Sequence, residues 1–341
     1  MTQPPILVWG SGAIGGTVGA YLSRAGCDVT FVDIDRTHVA AMNADGLQIE
    51  GPIETFKVKA KAFTPENVQG EFDRVLLCVK AHHTEPAVRA IAPHLAARGY
   101  VASFQNGLNE LVIADVVGRA RTLGAFLNFG ADYLSPGVIQ FGGRGAVVLG
   151  ELDGARTRRL AELHKAMLDF EPAAVMTDNI MGYLWGKLGY GALLFATALT
   201  NASICDALGA RSAWPLYRAL AGEATGVAAA LCVTPLGFNG YDPAVFSRGA
   251  PEAASAAALE SMIKHNAKSA KTHSGIWRDL AVRKRKTEVD AQLGPIVTFG
   301  RQQSLKTPIT ERLIAMIHQI EDGERPLALE NLDELARANS L

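Results

Sequence analysis

The stretch Ile6-Leu-Val-Trp-Gly10-Ser-Gly12-Ala-Ile-Gly15 decides how this chain is read. An apolar run breaks into G-x-G-x-x-G, and a helix-patterned segment, residues 17–24, follows at once. Gly10 permits a tight turn, Gly12 lets the backbone approach a pyrophosphate, and Gly15 lets the helix pack closely on the strand. The helix N-terminus then offers unpaired N–H groups and the positive end of its dipole to phosphates. Gly10, Ser11, Gly12, Ala13, Ile14 and Gly15 are therefore candidate cofactor-binding residues. A glycine-rich turn without any ligand would have the same letters. The order strand, turn, helix, second strand favours the nucleotide reading.

Outward from this turn, strands and helices alternate. Residues 28–33, 74–80 and 100–105 read as strands, and 35–43, 85–97 and 109–117 as helices. Such alternation predicts a parallel, doubly wound sheet of Rossmann type. From about Arg121, three short strands (123–126, 137–142 and 146–150) are expected to extend the sheet in antiparallel fashion. After Asp178 the pattern turns helical, over 180–199, 214–232, 251–270, 276–293 and, behind Thr307-Pro308, 309–322. The predicted organisation is α/β: a dinucleotide-binding Rossmann domain over 1–178 and an all-helical substrate and catalytic domain over 179–341. The segment after Pro326 reads as a tail or a short helix.

The charge balance, 33 basic against 34 acidic residues, offers no field for nucleic acid or an anionic membrane. The four cysteines, Cys27, Cys78, Cys205 and Cys232, are isolated and read as small core residues in a reducing compartment. Their spacing gives no support to a metal site. No basic segment followed by an apolar one marks a signal peptide. The apolar stretch 188–199 is shorter than the roughly 20 residues a bilayer span needs. A cytoplasmic protein is expected. The alanine-rich helices are compatible with a homodimer, although patterning does not separate an interface from a core.

Several polar residues stand where the predicted fold concentrates chemistry. Asp33 ends the second strand, where a carboxylate binds the adenosine ribose and favours NAD over NADP. Arg36 nearby offers a partner for a 2′-phosphate, and Asp33 or Asp35 would also serve as a helix cap. Lys80 and Asn106 end predicted strands on the side where open α/β sheets bind ligands. Each is also an ordinary turn residue, and His82 and His83 read as loop residues facing solvent. Lys187 lies in an apolar helix, Tyr183-Leu-Trp-Gly-Lys187-Leu. Burial would lower its pKa and let it give a proton near neutrality, unless its head snorkels into water. Glu288, behind the basic run Arg283-Lys-Arg-Lys286, reads on its own as part of a charged helix face.

Taken in order, Gly10-Ser-Gly-Ala-Ile-Gly15, Val79-Lys80-Ala81, Gln105-Asn106-Gly107, Trp185-Gly-Lys187-Leu188, Thr287-Glu288-Val-Asp290 and Thr307-Pro308 resemble the ketopantoate reductase (2-dehydropantoate 2-reductase) family over nearly the whole chain. The resemblance implies a role for each. Lys187 would donate a proton to the substrate carbonyl as hydride arrives from the nicotinamide. Asn106 would stand between nicotinamide and substrate. Lys80 would lie on the cofactor side, and Glu288 would contact the cofactor ribose or orient the site. It also implies a place in pantothenate biosynthesis. Departures accompany it. Where the family carries two substrate-holding asparagines, four and eight residues after the lysine, this chain has Gly191 and Phe195. Ser274 matches the family's substrate serine by neighbourhood only, and Asp33-Ile34 replace an NADP-reading arginine.

The resulting expectation is an NAD(P)H-dependent reductase of a 2-keto acid or related small carbonyl, with Lys187 as acid, Glu288 and Asn106 in support, and a roomier, more apolar pocket at Gly191 and Phe195. Two rivals are an NAD-dependent hydroxy-acid dehydrogenase or imine reductase of the same fold, and a non-catalytic dinucleotide sensor. A sensor has no need of a proton donor, and a panel of keto acids with NADH and NADPH separates the first two.

Overall fold

The computed structural model describes residues 5–268 and 272–338; the last two residues of the helix expected over 251–270 lie outside them. The chain divides into two compact units, Met1–Ile180 and Met181–Leu341. The first contains β1 (Ile6–Trp9), α1 (Ala13–Arg24), β2 (Val29–Val32), α2 (Arg36–Asp45), β3 (Leu47–Glu50), β4 (Phe56–Val58), β5 (Lys61–Phe63), β6 (Phe72–Leu77), α3 (Thr84–Ile91), β7 (Leu95–Ser103), α4 (Asn109–Val117), β8 (Thr122–Ser135), β9 (Val138–Glu151), α5 (Arg158–Met167) and β10 (Val175–Met176).

Six strands form a wholly parallel core in the order β5-β2-β1-β6-β7-β8. This is the doubly wound arrangement expected from the sequence, with the order reversing at β1. The period of two along β1 divides its side chains between two cores. Ile6 and Val8 face α1, α2 and α5, packing with Val18, Leu22, Met42 and Leu163. Leu7 and Trp9 face α3 and α4, packing with Val88, Ile91 and Ile113. Covered on both sides, the strand is apolar throughout, which is why it reads as a continuous run.

β9 pairs antiparallel with β8, and β3 and β4 continue the sheet beyond it. β4 and β5 stand at opposite ends of the strand order, yet only residues 59 and 60 separate them. The sheet therefore curls around α1. Tyr21 of α1 meets Phe56, Phe170 and Phe141 edge-on, with ring centroids 4.9, 5.3 and 5.7 Å away. Such pairs contribute about 0.5–1.5 kcal/mol each beyond area burial. Burial, reinforced by the hydrogen bond to Glu54, pushes the Tyr21 phenol up to about 12, so it remains a donor.

The second unit holds α6 (Ile180–Thr197), α7 (Ile204–Gly209), α8 (Trp214–Ala230), α9 (Glu252–Asn266), α10 (Gly275–Trp277), α11 (Val289–Gln302), α12 (Pro308–Glu321) and α13 (Glu330–Arg337). Among the described residues, its only β pairing is the bridge between Phe238 and Tyr241. The segment after Pro326 is thus a short helix. No helix is long and apolar enough to cross a membrane among the described residues.

Four expectations need correction. The helix expected over 85–97 stops at Ile91 and gives way to a 3-10 turn, Ala92–His94. Pro93 lacks the N–H that would continue it. The three short strands after Arg121 are two strands of 14 residues each. Gly142, Gly143 and Gly145 read as punctuation, but they lie within β9 where its register against β8 shifts. The helix expected over 276–293 is broken: a π-helical turn, Arg278–Val282, precedes an interruption with Lys284 at φ 49, and α11 begins only at Val289. Asp279 fastens that interruption through Arg283 and Arg285, at 3.0 and 2.9 Å. Finally, the cysteines are not all core residues: Cys27 and Cys78 pack against the larger core as expected, but Cys205 is only partly buried and Cys232 is exposed, just past the end of α8.

Candidate cofactor site and active-site residues

The glycine loop sits at the carboxyl end of β1, between β2 and β6. Gly10 has φ +96, and a Cβ there would lie 2.8 Å from the Val79 nitrogen. A Cβ on Gly15 would lie 2.1 Å from the Gly10 carbonyl oxygen, so any side chain would separate helix from loop. Gly12 differs. It caps α1 at φ −66, and a Cβ there would meet nothing within 4 Å. Its lack of a side chain is not needed for packing; it leaves open room before the first turn of α1. That turn carries no acidic residue and receives no side-chain cap. Unpaired N–H groups, a positive dipole end and open space together suit a phosphate-bearing ligand.

Asp33 ties this loop to the end of β2. Its Oδ2 accepts the Ser11 N–H at 2.8 Å and its Oδ1 the Asp35 N–H at 3.0 Å. The cap of α2 is Asp35, which accepts from the Thr37 and His38 amides. Asp33 is therefore free of capping duty, and each carboxylate oxygen retains a lone pair for a hydroxyl. Arg36 is exposed beside it.

His38 is a residue that sequence reasoning missed. It is buried, accepts the Gly137 N–H at Nδ1 (2.9 Å), and lies 3.0 Å from the Ser11 carbonyl through Nε2. Accepting at Nδ1 places the proton on Nε2, which donates to the loop. The imidazole thus joins the glycine loop to the turn between β8 and β9.

Lys80 and Asn106, both exposed, lie in the loops that follow β6 and β7. A buried polar chain braces these loops from below. The Gln105 amide donates to the Val79 carbonyl at 2.9 Å and to the Thr84 hydroxyl at 2.8 Å. Thr84 reaches Asn109 at 2.9 Å, and Asn109 donates to the Asn106 carbonyl at 2.6 Å. Thr84 and Asn109 stand at helix starts, where such residues ordinarily only cap, so nothing in the local pattern marks them out. Burial pushes the neighbouring Cys78 thiol up, which keeps it protonated and unreactive.

In the second unit, Lys187 is half-buried on α6. The helix presents one partly accessible stripe, Tyr183, Lys187, Gly191 and Leu194, at spacings of four, four and three. Phe195 is fully buried, and a ligand would reach it only by displacing its neighbours. Glu288, half-buried, immediately precedes α11, whose matching stripe is Gln292, Pro295 and Phe299. Ser274 is buried, and its hydroxyl accepts the Trp277 N–H at 3.1 Å, capping α10. Among the described residues no group of three or more His, Cys, Asp or Glu is placed to hold a metal.

Two family models match the chain. "Ketopantoate reductase PanE/ApbA" covers residues 6–154, and "Ketopantoate reductase PanE/ApbA C terminal" covers residues 179–321. The chain belongs to the ketopantoate reductase family. A 2-dehydropantoate 2-reductase of Pyrococcus horikoshii is 33% identical over 184 residues, which span 53% of this chain and 59% of that protein. A PanE/ApbA family ketopantoate reductase from Ralstonia eutropha JMP134 has a similar structure, with TM-score 0.79 and 27% identity over 94% of this chain and 99% of that one. D-mandelate dehydrogenase, solved with NADH and anilino(oxo)acetate, shares the fold at TM-score 0.80 and 20% identity, over 94% and 99% of the two chains.

Proposed function

We propose that this member of the family is an NAD(P)H-dependent reductase that converts a 2-keto acid to the 2-hydroxy acid. The observation that carries the reading is the open space at Gly12 before an uncapped helix N-terminus, with the Asp33 carboxylate beside it. Gly10 to Gly15 would hold the pyrophosphate, Asp33 the adenosine ribose, and Lys80 and Asn106 the cofactor's reactive half. A bound dihydronicotinamide supplies the hydride. The alkoxide that forms needs a cation and a proton, and Lys187, a half-buried ammonium in an apolar helix, is the group proposed to give both. Glu288 would support it.

Asp33 favours NADH over NADPH, because its charge repels a 2′-phosphate. The same carboxylate supports the second reading, NAD-dependent oxidation of a 2-hydroxy acid, which is this reaction in reverse. The D-mandelate dehydrogenase of similar fold was solved with NADH.

Lys187→Ala tests the proposal. It should bind NADH as the unaltered protein does and lose turnover by about 10²–10⁴-fold, the usual contribution of a positioned acid. Full turnover in that variant would reject the mechanism.

A further inference from the structure

Trp185 of α6 lies against Phe299 of α11, with ring centroids 6.2 Å apart. Further along, a Cβ on Gly191 would find a single neighbour within 4 Å, the Gln292 Oε1 at 3.8 Å. Moving forward on α6 is therefore moving backward on α11, so the two helices pass in opposite directions. Their partly accessible stripes face one another at Gly191 and Gln292. Lys187 lies one turn from Gly191 toward one end, and Glu288 one turn from Gln292 toward the other. Gln292 stands at the middle, opposite the one position on the α6 stripe that has no side chain. Among the described residues its amide makes no side-chain hydrogen bond.

We propose that the Gln292 amide is a specificity-determining residue that holds the substrate carboxylate over the gap left by Gly191. This rests on the reductase reading above. The charged residues one turn to either side of this pair give the orientation. A 2-keto acid carries its carboxylate next to the reacting carbonyl, and Glu288 would repel it, whereas Lys187 and an amide N–H attract it. The two ends of an amide exchange by rotation, so Nε2 can present its donors where Oε1 now lies. The gap at Gly191 admits the substituent on the keto carbon, and an unpaired neutral amide beside it discriminates through the bond it can make.

The test is steady-state kinetics of Q292L and Q292E with NADH, using a 2-keto acid and the corresponding neutral keto ester. Q292L should raise KM for the keto acid by about 10–100-fold, as expected for a lost hydrogen bond to a charged group, with kcat changed less than threefold as an order of magnitude. The loss in kcat/KM for the keto ester should be at least about fivefold smaller, since the ester carries no charge for the amide to hold. Q292E keeps the side-chain shape and should discriminate against the keto acid still more strongly. Unchanged NADH affinity, read by fluorescence, would locate the effect at the substrate. A KM for the keto acid that stays within about twofold in both variants, or equal losses for acid and ester, would overturn the assignment alone. Failure of the unaltered protein to reduce any keto acid with either cofactor would overturn the reductase reading, and this inference with it.

Discussion

The backbone N–H of Ser11 donates to the Asp33 carboxylate at 2.8 Å, so the glycine loop and the end of β2 are one unit. The carboxylate proposed to discriminate between the cofactors also fixes the loop expected to bind the phosphates. Asp33→Ser should weaken NADH binding by about 10–100-fold, the range for a lost charge-assisted bond, and narrow the gap between NADH and NADPH. Titrating both cofactors checks this; an unaltered ratio would show that Asp33 serves the loop only.

The three glycines of the loop should respond differently. Gly12→Ala meets no obstruction and should cost about 1 kcal/mol of stability, the difference between glycine and alanine at a helix cap. It should nonetheless weaken NADH binding, because the methyl group enters the open space proposed for the phosphates. Gly15→Ala overlaps backbone and should destabilise the first unit severely. Melting curves with and without NADH separate the two, and undiminished NADH affinity in Gly12→Ala would remove the phosphate site from this loop.

Thr84→Val keeps shape and removes the hydroxyl that links Gln105 to Asn109. Two buried amides then lose a partner, which should cost about 1–3 kcal/mol. Chemical denaturation measures it. Stability equal to that of the unaltered protein would mean that the chain is not what braces the loops bearing Lys80 and Asn106.

His318 sits between two carboxylates, with Nδ1 2.9 Å from Glu321 and Nε2 3.0 Å from Asp290. Burial alone would lower it, but its hydrogen bonds to both carboxylates and their charges hold it above the usual imidazole range. Glu321 also accepts the Thr287 N–H and hydroxyl, each at 2.7 Å, so the cluster anchors the start of the segment that presents Glu288. A raised histidine contributes stability fully below its unfolded value of about 6.5 and loses it as pH rises through the folded value. Stability should therefore decline above neutrality, and His318→Gln should flatten the decline. Parallel pH profiles for both proteins would refute the assignment.

Much of the first unit was legible because its signals are local. Buried parallel strands read as apolar runs, and the G-x-G-x-x-G turn names its own geometry. α4 occupies the residues expected for it, Asn109–Val117. Where the reading failed, long-range pairing overrode local punctuation: the glycines of β9 accommodate a shift against β8 instead of ending strands. The break before α11 was hidden because a charged run is compatible with a helix face. Only the ion pairs of Asp279 show the chain turning there.

The sequence by itself determined the doubly wound sheet and the family, since both are written in apolar runs, turns and short motifs that can be read one after another along the chain. Tertiary structure alone decided that His38 joins the glycine loop to Gly137, 99 positions further along, and that Gln292 stands opposite Gly191. No window of sequence encodes such pairs. They exist because the folded chain brings distant backbones together, and buried polar groups must then find partners wherever the fold supplies them.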